Sequence, residues 1–264
     1  MQRLLIALGF CALLSCACSG VAGGSGGGTA TGGGTATGGG TATGGGTATG
    51  GGGGSPSDGG CATSPFNVDG GQAYSTSFPL TENPISENGV WVHDGLDWAK
   101  VATSPGLAYG TQTGSNGYDD AYAHLSCFGG DQTARATLHL ISNIDPSCSH
   151  EVELLLHWSD SAHSAMGYEC NLSFNGGYSQ IVRWNGALGD FTVLAGGSVN
   201  AVNDGDVFMA TIVGDHISLF LNGAPIVDVH DSALPTGQPG IGFFRRQCGS
   251  GTDYGFKSYS VSSP

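Results

Sequence analysis

Three stretches, Thr133 to Ile141, Glu151 to Trp158 and Met166 to Phe174, alternate apolar and polar side chains with a period of two. That period puts every second side chain on one face of an extended strand and does not fit an amphipathic helix, whose apolar residues recur every three or four positions. Further short runs rich in Val, Ile, Thr, Phe and Tyr follow the same habit: Gly89 to His93, Ala121 to Cys127, Tyr178 to Trp184, Phe191 to Ala195, Val207 to Val213 and Ile217 to Leu221. Gly, Asn, Asp and Pro clusters separate them about every dozen residues. Many short strands with turn punctuation predict an all-β antiparallel sandwich or barrel.

The strands begin only after residue 61. Ahead of them, four copies of Gly-Gly-Gly-Thr-Ala-Thr run from Gly26 to Thr49, with no apolar side chain larger than Ala. Such a chain cannot bury a core, so residues 19–60 are expected to form a disordered Gly/Thr tether. About 40 Gly-rich residues reach roughly 35 Å root-mean-square. At the start, Arg3, the apolar run Leu4 to Leu14 and Leu13-Leu14-Ser15-Cys16 form an export signal over residues 1–18. Its end resembles the bacterial lipoprotein box, which implies acylation of Cys16; a secretory signal cut after Ala17 is the alternative. Ala17 follows Cys16 where an inner-membrane retention cue would have Asp, which favours an outer surface.

Residues 61–264 make one domain of ordinary size. With 7 Lys+Arg against 21 Asp+Glu and a net charge of -14, the chain lacks the clustered cations that nucleic acid or anionic lipid demands. Membrane contact is expected only through a lipid anchor. Cys61, Cys127, Cys148, Cys170 and Cys248 enter an oxidising compartment and read as disulfides, with Cys127–Cys148 and Cys170–Cys248 the pairs expected. The first would close a loop worth roughly 3 kcal/mol in the chain-entropy model.

Ile217 to Leu221, Asn222-Gly223 and Ala224 to Val229 spell a hairpin, because Asn-Gly supplies the two positive φ values of a tight turn. Asp206 to Val213 precedes it, and Gly240-Ile-Gly-Phe-Phe244 and Tyr254 to Val261 follow. In that order these segments resemble the C-terminal half of a concanavalin A-like lectin/glucanase domain, the two-sheet jelly roll shared by laminin-G-like modules and several glycan-active enzymes. The resemblance covers about 60 residues of strand order and turn placement. It implies a concave sheet, possession of a ligand by that sheet, and often a calcium ion between an early loop and the last strand. Asp69 and Asp253 are the candidate ligands for such an ion, and no other cofactor is expected.

Alternation assigns Val152, Leu154, Leu156 and Trp158 to the core and Glu151, Glu153, Leu155 and His157 to the opposite face. Likewise Glu169 and Asn171 oppose Met166, Tyr168, Cys170, Leu172 and Phe174, and Arg135 and His139 oppose Ala134, Ala136, Leu138 and Leu140. If these strands are neighbours in one sheet, Arg135, His139, Glu151, Glu153, His157, Glu169 and Asn171 line one groove. Tyr178, Gln180 and Trp184 would join it, flat rings taking the apolar face of a sugar while amides and carboxylates take its hydroxyls. Trp91 and Trp98 are expected to pack in the core or at its rim.

The leading expectation is a tethered surface module that binds an extracellular glycan without catalysis. An enzyme on the same scaffold is the alternative: a hydrolase with Glu153 and Glu169 as acid and nucleophile facing each other across two strands, or a lyase with Arg135 and His139 as charge neutraliser and base. The family hydrolases carry Glu-x-Asp and a third acid on one strand, whereas Glu151-Val-Glu153 is followed by three Leu. The lyase pattern begins at Gln180-Ile181 but has Val182 where the family has His, and Tyr254-Gly-Phe-Lys257 is one residue wider than its Tyr-x-Lys. A structural surface protein with a merely solvated sheet face completes the set.

Overall fold

The computed structural model describes residues 66–114, 120–145, 147–174, 176–246 and 249–264. The export signal, Cys16, the Gly/Thr tether, Cys61 and Cys248 lie outside them. The described part is β throughout, apart from one 3-10 turn at Gly251–Asp253.

A front layer contains β5 (Asp120–His124), β7 (Ser149–Ser161), β8 (Ser164–Ser173), β9 (Tyr178–Gly186), β10 (Phe191–Ser198) and β14 (Gln238–Arg246), in the order β10-β9-β8-β7-β14-β5. A back layer contains β4 (Leu107–Gly110), β6 (Gln132–Leu140), β11 (Val207–Val213), β12 (His216–Leu221), β13 (Ala224–His230) and β15 (Tyr254–Ser263), in the order β4-β15-β6-β11-β12-β13. The short β1 (Asn67–Val68) pairs with β2 (Gly71–Thr76), which extends the back layer along β15. β3 (Ala99–Ser104) joins the layers, running antiparallel to β4 and parallel to β5. The two expected layers therefore belong to one continuous hydrogen-bonded ribbon, antiparallel except at that junction.

Between the layers lies one large core. Val152, Leu154, Leu156, Tyr168, Cys170 and Leu172 face Ala134, Leu138, Phe208, Leu219 and Phe256 across it. Those on β6, β7 and β8 are side chains that alternation assigns inward, and burying each large one contributes about 1.5–3 kcal/mol. The hairpin turn is also as expected: Asn222 and Gly223 have φ of 51° and 81°, and Leu221 pairs with Ala224.

Three expectations need correction. Gly89 to His93 is a turn, touching the sheet only through a single bridge from Val92 to His124. Cys170 is a buried free thiol, so it is not paired with Cys248. Cys127 and Cys148 are not paired with each other. Phe128, next to Cys127, bonds to Gln238, while Ser149, next to Cys148, pairs with Arg246. The run from Gln238 to Arg246, roughly 26 Å long, separates them, and a disulfide needs Cα atoms within about 7 Å.

Candidate functional site

The outer face of the front layer carries the acidic cluster. On β7 it presents Glu151, Glu153 and Leu155; on β8, Glu169 and Asn171; on β9, Tyr178, Gln180, Val182 and Trp184. Pairing fixes their rows. Glu153 lies opposite Asn171, Asn171 opposite Gln180, and Leu155 opposite Glu169. Glu153 and Glu169 are therefore diagonal neighbours, and not directly opposed as expected. β14 inserts on the other flank, with Gly242 opposite Glu153 and Phe244 opposite Glu151, and β5 places Asp120 opposite Phe244. Gly242 is the position that makes room: a Cβ there would overlap Oε2 of Glu153.

Carboxylate oxygens of Glu151, Glu153 and Glu169 all lie within 4.8 Å of one another. All three residues are buried. Glu169 accepts hydrogen bonds from Trp184 Nε1 at 2.6 Å and Asn171 Nδ2 at 2.9 Å. Glu151 accepts one from the Tyr178 hydroxyl. Glu153 is 2 % exposed and its Oε1 has no hydrogen-bond partner.

Burial removes hydration from the charged forms, and the carboxyls repel one another. Burial and then the Glu169 charge push the Glu151 carboxyl up to about 8, against the Tyr178 hydrogen bond. Burial, with Glu169, Asp120 and Glu151 adding to it, raises Glu153 well above the usual range. Burial raises Glu169 as well, opposed by the Trp184 and Asn171 donors. At neutral pH the cluster therefore holds protons on its β7 members and offers both donors and acceptors. Three carboxyls within 4.8 Å have the oxygen chemistry of a hard-cation site, and protonated members of the same cluster can also donate to a hydroxyl-bearing ligand.

Above this floor opens a cleft of about 240 Å³, lined by Glu151, Glu169, Asn171, Tyr178, Gln180 and Trp184, with Phe191, Phe244, Asp120, Ser149 and Arg246. Its upper boundary is aromatic. Trp98 stands edge-on between Tyr122 of β5 and Trp184 of β9, with centroids 5.9 and 6.0 Å away, and Phe191 continues the wall 5.5 Å beyond Trp184. The segment carrying Trp98 is pinned to the β7–β8 hairpin. Asp94 N donates to Asp160 at 2.9 Å, Leu96 N donates to the Ala162 carbonyl at 2.7 Å, and Tyr122 donates to the same Asp160 at 2.5 Å. Burial disfavours charge on Asp160, but hydrogen bonds from His124, Tyr122 and the Asp94 amide outweigh it and hold the carboxyl below its ordinary range.

Of the residues expected in one groove, seven come together: Glu151, Glu153, Glu169, Asn171, Tyr178, Gln180 and Trp184. Three do not. Arg135 and His139 belong to β6 in the back layer, where Arg135 is exposed between Met209 and Ser260 and His139 lies 3.6 Å from Asp204. The lyase assignment therefore loses both its residues from this cleft. His157 sits in a β-bulge, with φ of 49° and a register shift between Leu156 and Ser159. An extra residue inverts the alternation beyond it. His157 turns toward the carbonyls of Leu234 and Gly130, and Trp158 joins Trp98, Tyr122 and Leu155 on the outer face. Trp158 was expected inside.

Asp69 and Asp253 are also apart. Asp253 directly precedes β15, whereas Asp69 lies near Gln72, which pairs with Ser263 at the far end of that strand. Roughly 30 Å of strand separates them, so they do not form one ion site. Asp253 instead accepts a hydrogen bond from Ser250 N at 2.6 Å and caps the 3-10 turn. Trp91 and Trp98 pack in the core and at its rim as expected, while periodicity alone missed Tyr122, Phe191, Phe244, Asp120 and Arg246. Only the pairing of β5 and β14 beside β7 brings the last three to the cleft.

This architecture, two facing layers of antiparallel strands with a cleft on the outer face of one, is a two-layer jelly-roll sandwich. The chain is similar to the exoplasmic/lumenal domain of VIP36 in a Ca2+/Man3GlcNAc-bound form, with 13% identity over 72% of this chain and 88% of that one and a TM-score of 0.51. It is similar also to the carbohydrate-binding module CBM66 from Bacillus subtilis, with 17% identity, 68% and 95% coverage and a TM-score of 0.46. The kappa-carrageenase from Pseudoalteromonas carrageenovora, in complex with an oligotetrasaccharide, matches with 10% identity, 76% and 99% coverage and a TM-score of 0.46. At these identities the likeness establishes the fold alone. No protein-family model and no curated protein matches the chain.

Proposed function

We propose that this protein binds carbohydrate in the front-layer cleft and is held at the cell envelope by its N-terminal tether, through a lipid on Cys16 or, alternatively, released after secretion. The observation that carries the reading is the combination at one place of hydroxyl partners (Glu151, Glu169, Asn171, Gln180) with flat apolar rings (Tyr178, Trp184, Phe191). A sugar presents just these two surfaces, hydroxyls at its rim and C–H groups on its faces. The fold is one on which VIP36 is known with Man3GlcNAc bound. Retention on a glycan array, followed by calorimetry, tests the proposal. Glu169→Gln is expected to weaken binding at least about tenfold, or about 1.4 kcal/mol, and Arg135→Ala to leave it unchanged. If no sugar is retained at high protein concentration, the reading is lost.

One observation favours hydrolysis as a second reading. Glu151 keeps a proton near neutral pH, while Glu169 is held as an acceptor by Trp184 and Asn171. Their oxygens are within 4.8 Å, near the roughly 5–5.5 Å between carboxyls in retaining glycosidases. In that reaction Glu151 protonates the leaving oxygen as the glycosidic C–O bond breaks and Glu169 forms an ester to the anomeric carbon; water then cleaves the ester, its proton returning to Glu151. Glu153, expected as the acid, lies beneath the floor. Reducing-end release from neutral polysaccharides, abolished in both Glu151→Gln and Glu169→Gln, would establish this activity; no release by the wild type removes it.

A further inference from the structure

We infer that the cleft is a one-mouthed pocket that takes the terminal ring of a neutral glycan and not the interior of a polysaccharide chain. The inference rests on the glycan-binding reading and specifies its ligand. A polymer lying on a sheet must enter and leave the groove, and here the exits are built over. Along the strands, the upper side is bounded by Trp184, which is backed by buried Trp98 and, beyond it, Tyr122. On the lower side Tyr178 reaches from β9 across β8 to hydrogen-bond Glu151 on β7. At the β10 end Phe191 packs against Trp184. That leaves the mouth beside Ser149, Phe244, Asp120 and Arg246.

Size points the same way. A volume of about 240 Å³ falls below the roughly 300–1,000 Å³ of pockets for drug-sized ligands and suits one sugar ring. Charge disfavours acidic rings. Asp120 and the hydrogen-bond-accepting Glu169 line the pocket, and among its described lining residues the only guanidinium is Arg246, at the mouth. A uronate would bring a further negative charge into a site already short of hydration.

The test uses the mature chain and a fixed set of probes. These are the methyl glycosides of mannose, glucose, galactose and N-acetylglucosamine, the linear hexasaccharides of the same sugars, and methyl glucuronide. For whichever neutral sugar binds, calorimetry is expected to show one protein per hexasaccharide and an affinity within about threefold of the methyl glycoside, with the glucuronide at least about tenfold weaker. Phe191→Ala, which opens the β10 end, is expected to create a dependence on chain length. A wild-type hexasaccharide bound more than about thirtyfold tighter than its methyl glycoside, or several proteins on one chain, overturns terminal recognition and leaves glycan binding standing. Binding of the glucuronide as tightly as glucoside overturns the neutral specification. Failure of every probe overturns the glycan reading itself, and this inference with it.

Discussion

On the front layer, Glu151, Glu153 and Glu169 are buried against one another beneath an aromatic wall, whereas on the back layer Arg135, Thr133 and Thr137 lie on the open face of β6 among Ser258, Ser260 and Ser262. Both faces are the polar half of an alternating strand. What separates them is a neighbour: among the described residues, the segment from Asp94 to Trp98 packs over one face and Phe191 of β10 extends that cover, while the other leaves Arg135 exposed. A carboxylate on an open face keeps its hydration and its ordinary acidity. The same group under cover loses hydration, takes up a proton and becomes a directional hydrogen-bonding group. Chemistry in this molecule thus follows the covering of a polar face more than its composition.

Removing the cover should show the largest effect. Trp98→Ala is expected to cost about 3–5 kcal/mol, as for other buried aromatics, read as a lower urea midpoint; a loss below about 1 kcal/mol would mean that the wall is not integrated with the sheet. Glu153→Met replaces a buried carboxyl with one unpartnered oxygen by an apolar chain of similar length. It is expected to stabilise the fold by about 1–3 kcal/mol at pH 8, the scale of an unsatisfied buried polar group, and a destabilisation would show that the carboxyl has a partner after all.

The pH response is expected to be smaller and has a definite sign. A carboxyl whose pKa is raised on folding binds more protons in the folded state, so its contribution is fully present below the unfolded value and lost as pH rises through the folded one. For Glu151 that window runs from 4.5 to about 8, and Glu153 and Glu169 act in the same direction. His150, whose pKa burial lowers from 6.5, acts oppositely as pH falls, so the effect is read as a difference. The melting temperature of the wild type should fall relative to Glu151→Gln between pH 5 and pH 8, and parallel curves would contradict the buried-cluster account. The back layer supplies the smallest effect: Arg135→Ala should change stability by less than about 0.5 kcal/mol and leave the pH profile untouched.

Much of the fold was legible in the chain. The period of two named the inward residues from Val152 to Leu156 and from Tyr168 to Leu172, though not Trp158 or the exposed Met166, and Asn222-Gly223 fixed the β12–β13 turn, because both are set by sterics over a few bonds. The candidate site was legible in part. Glu151, Glu153, Glu169 and Asn171 could be grouped because β7 and β8 are consecutive and pair as a hairpin. Arg135 and His139 were grouped with them wrongly, since the chain crosses from the back to the front layer between Leu140 and Ser149. His157 and Trp158 exchanged faces through a bulge that no local residue announces.

Local sequence, then, determined that this chain makes strands, where many of them turn and which side chains each strand turns inward. Which strands lie side by side, what covers their polar faces and where the acids meet were decided only in the tertiary structure. The physical reason is range: dihedral sterics and side-chain alternation act between near neighbours, while the pairing of β14 with β7 and the seating of Trp98 on Tyr122 and Trp184 depend on residues far apart in the chain, held by burial that no single segment achieves alone.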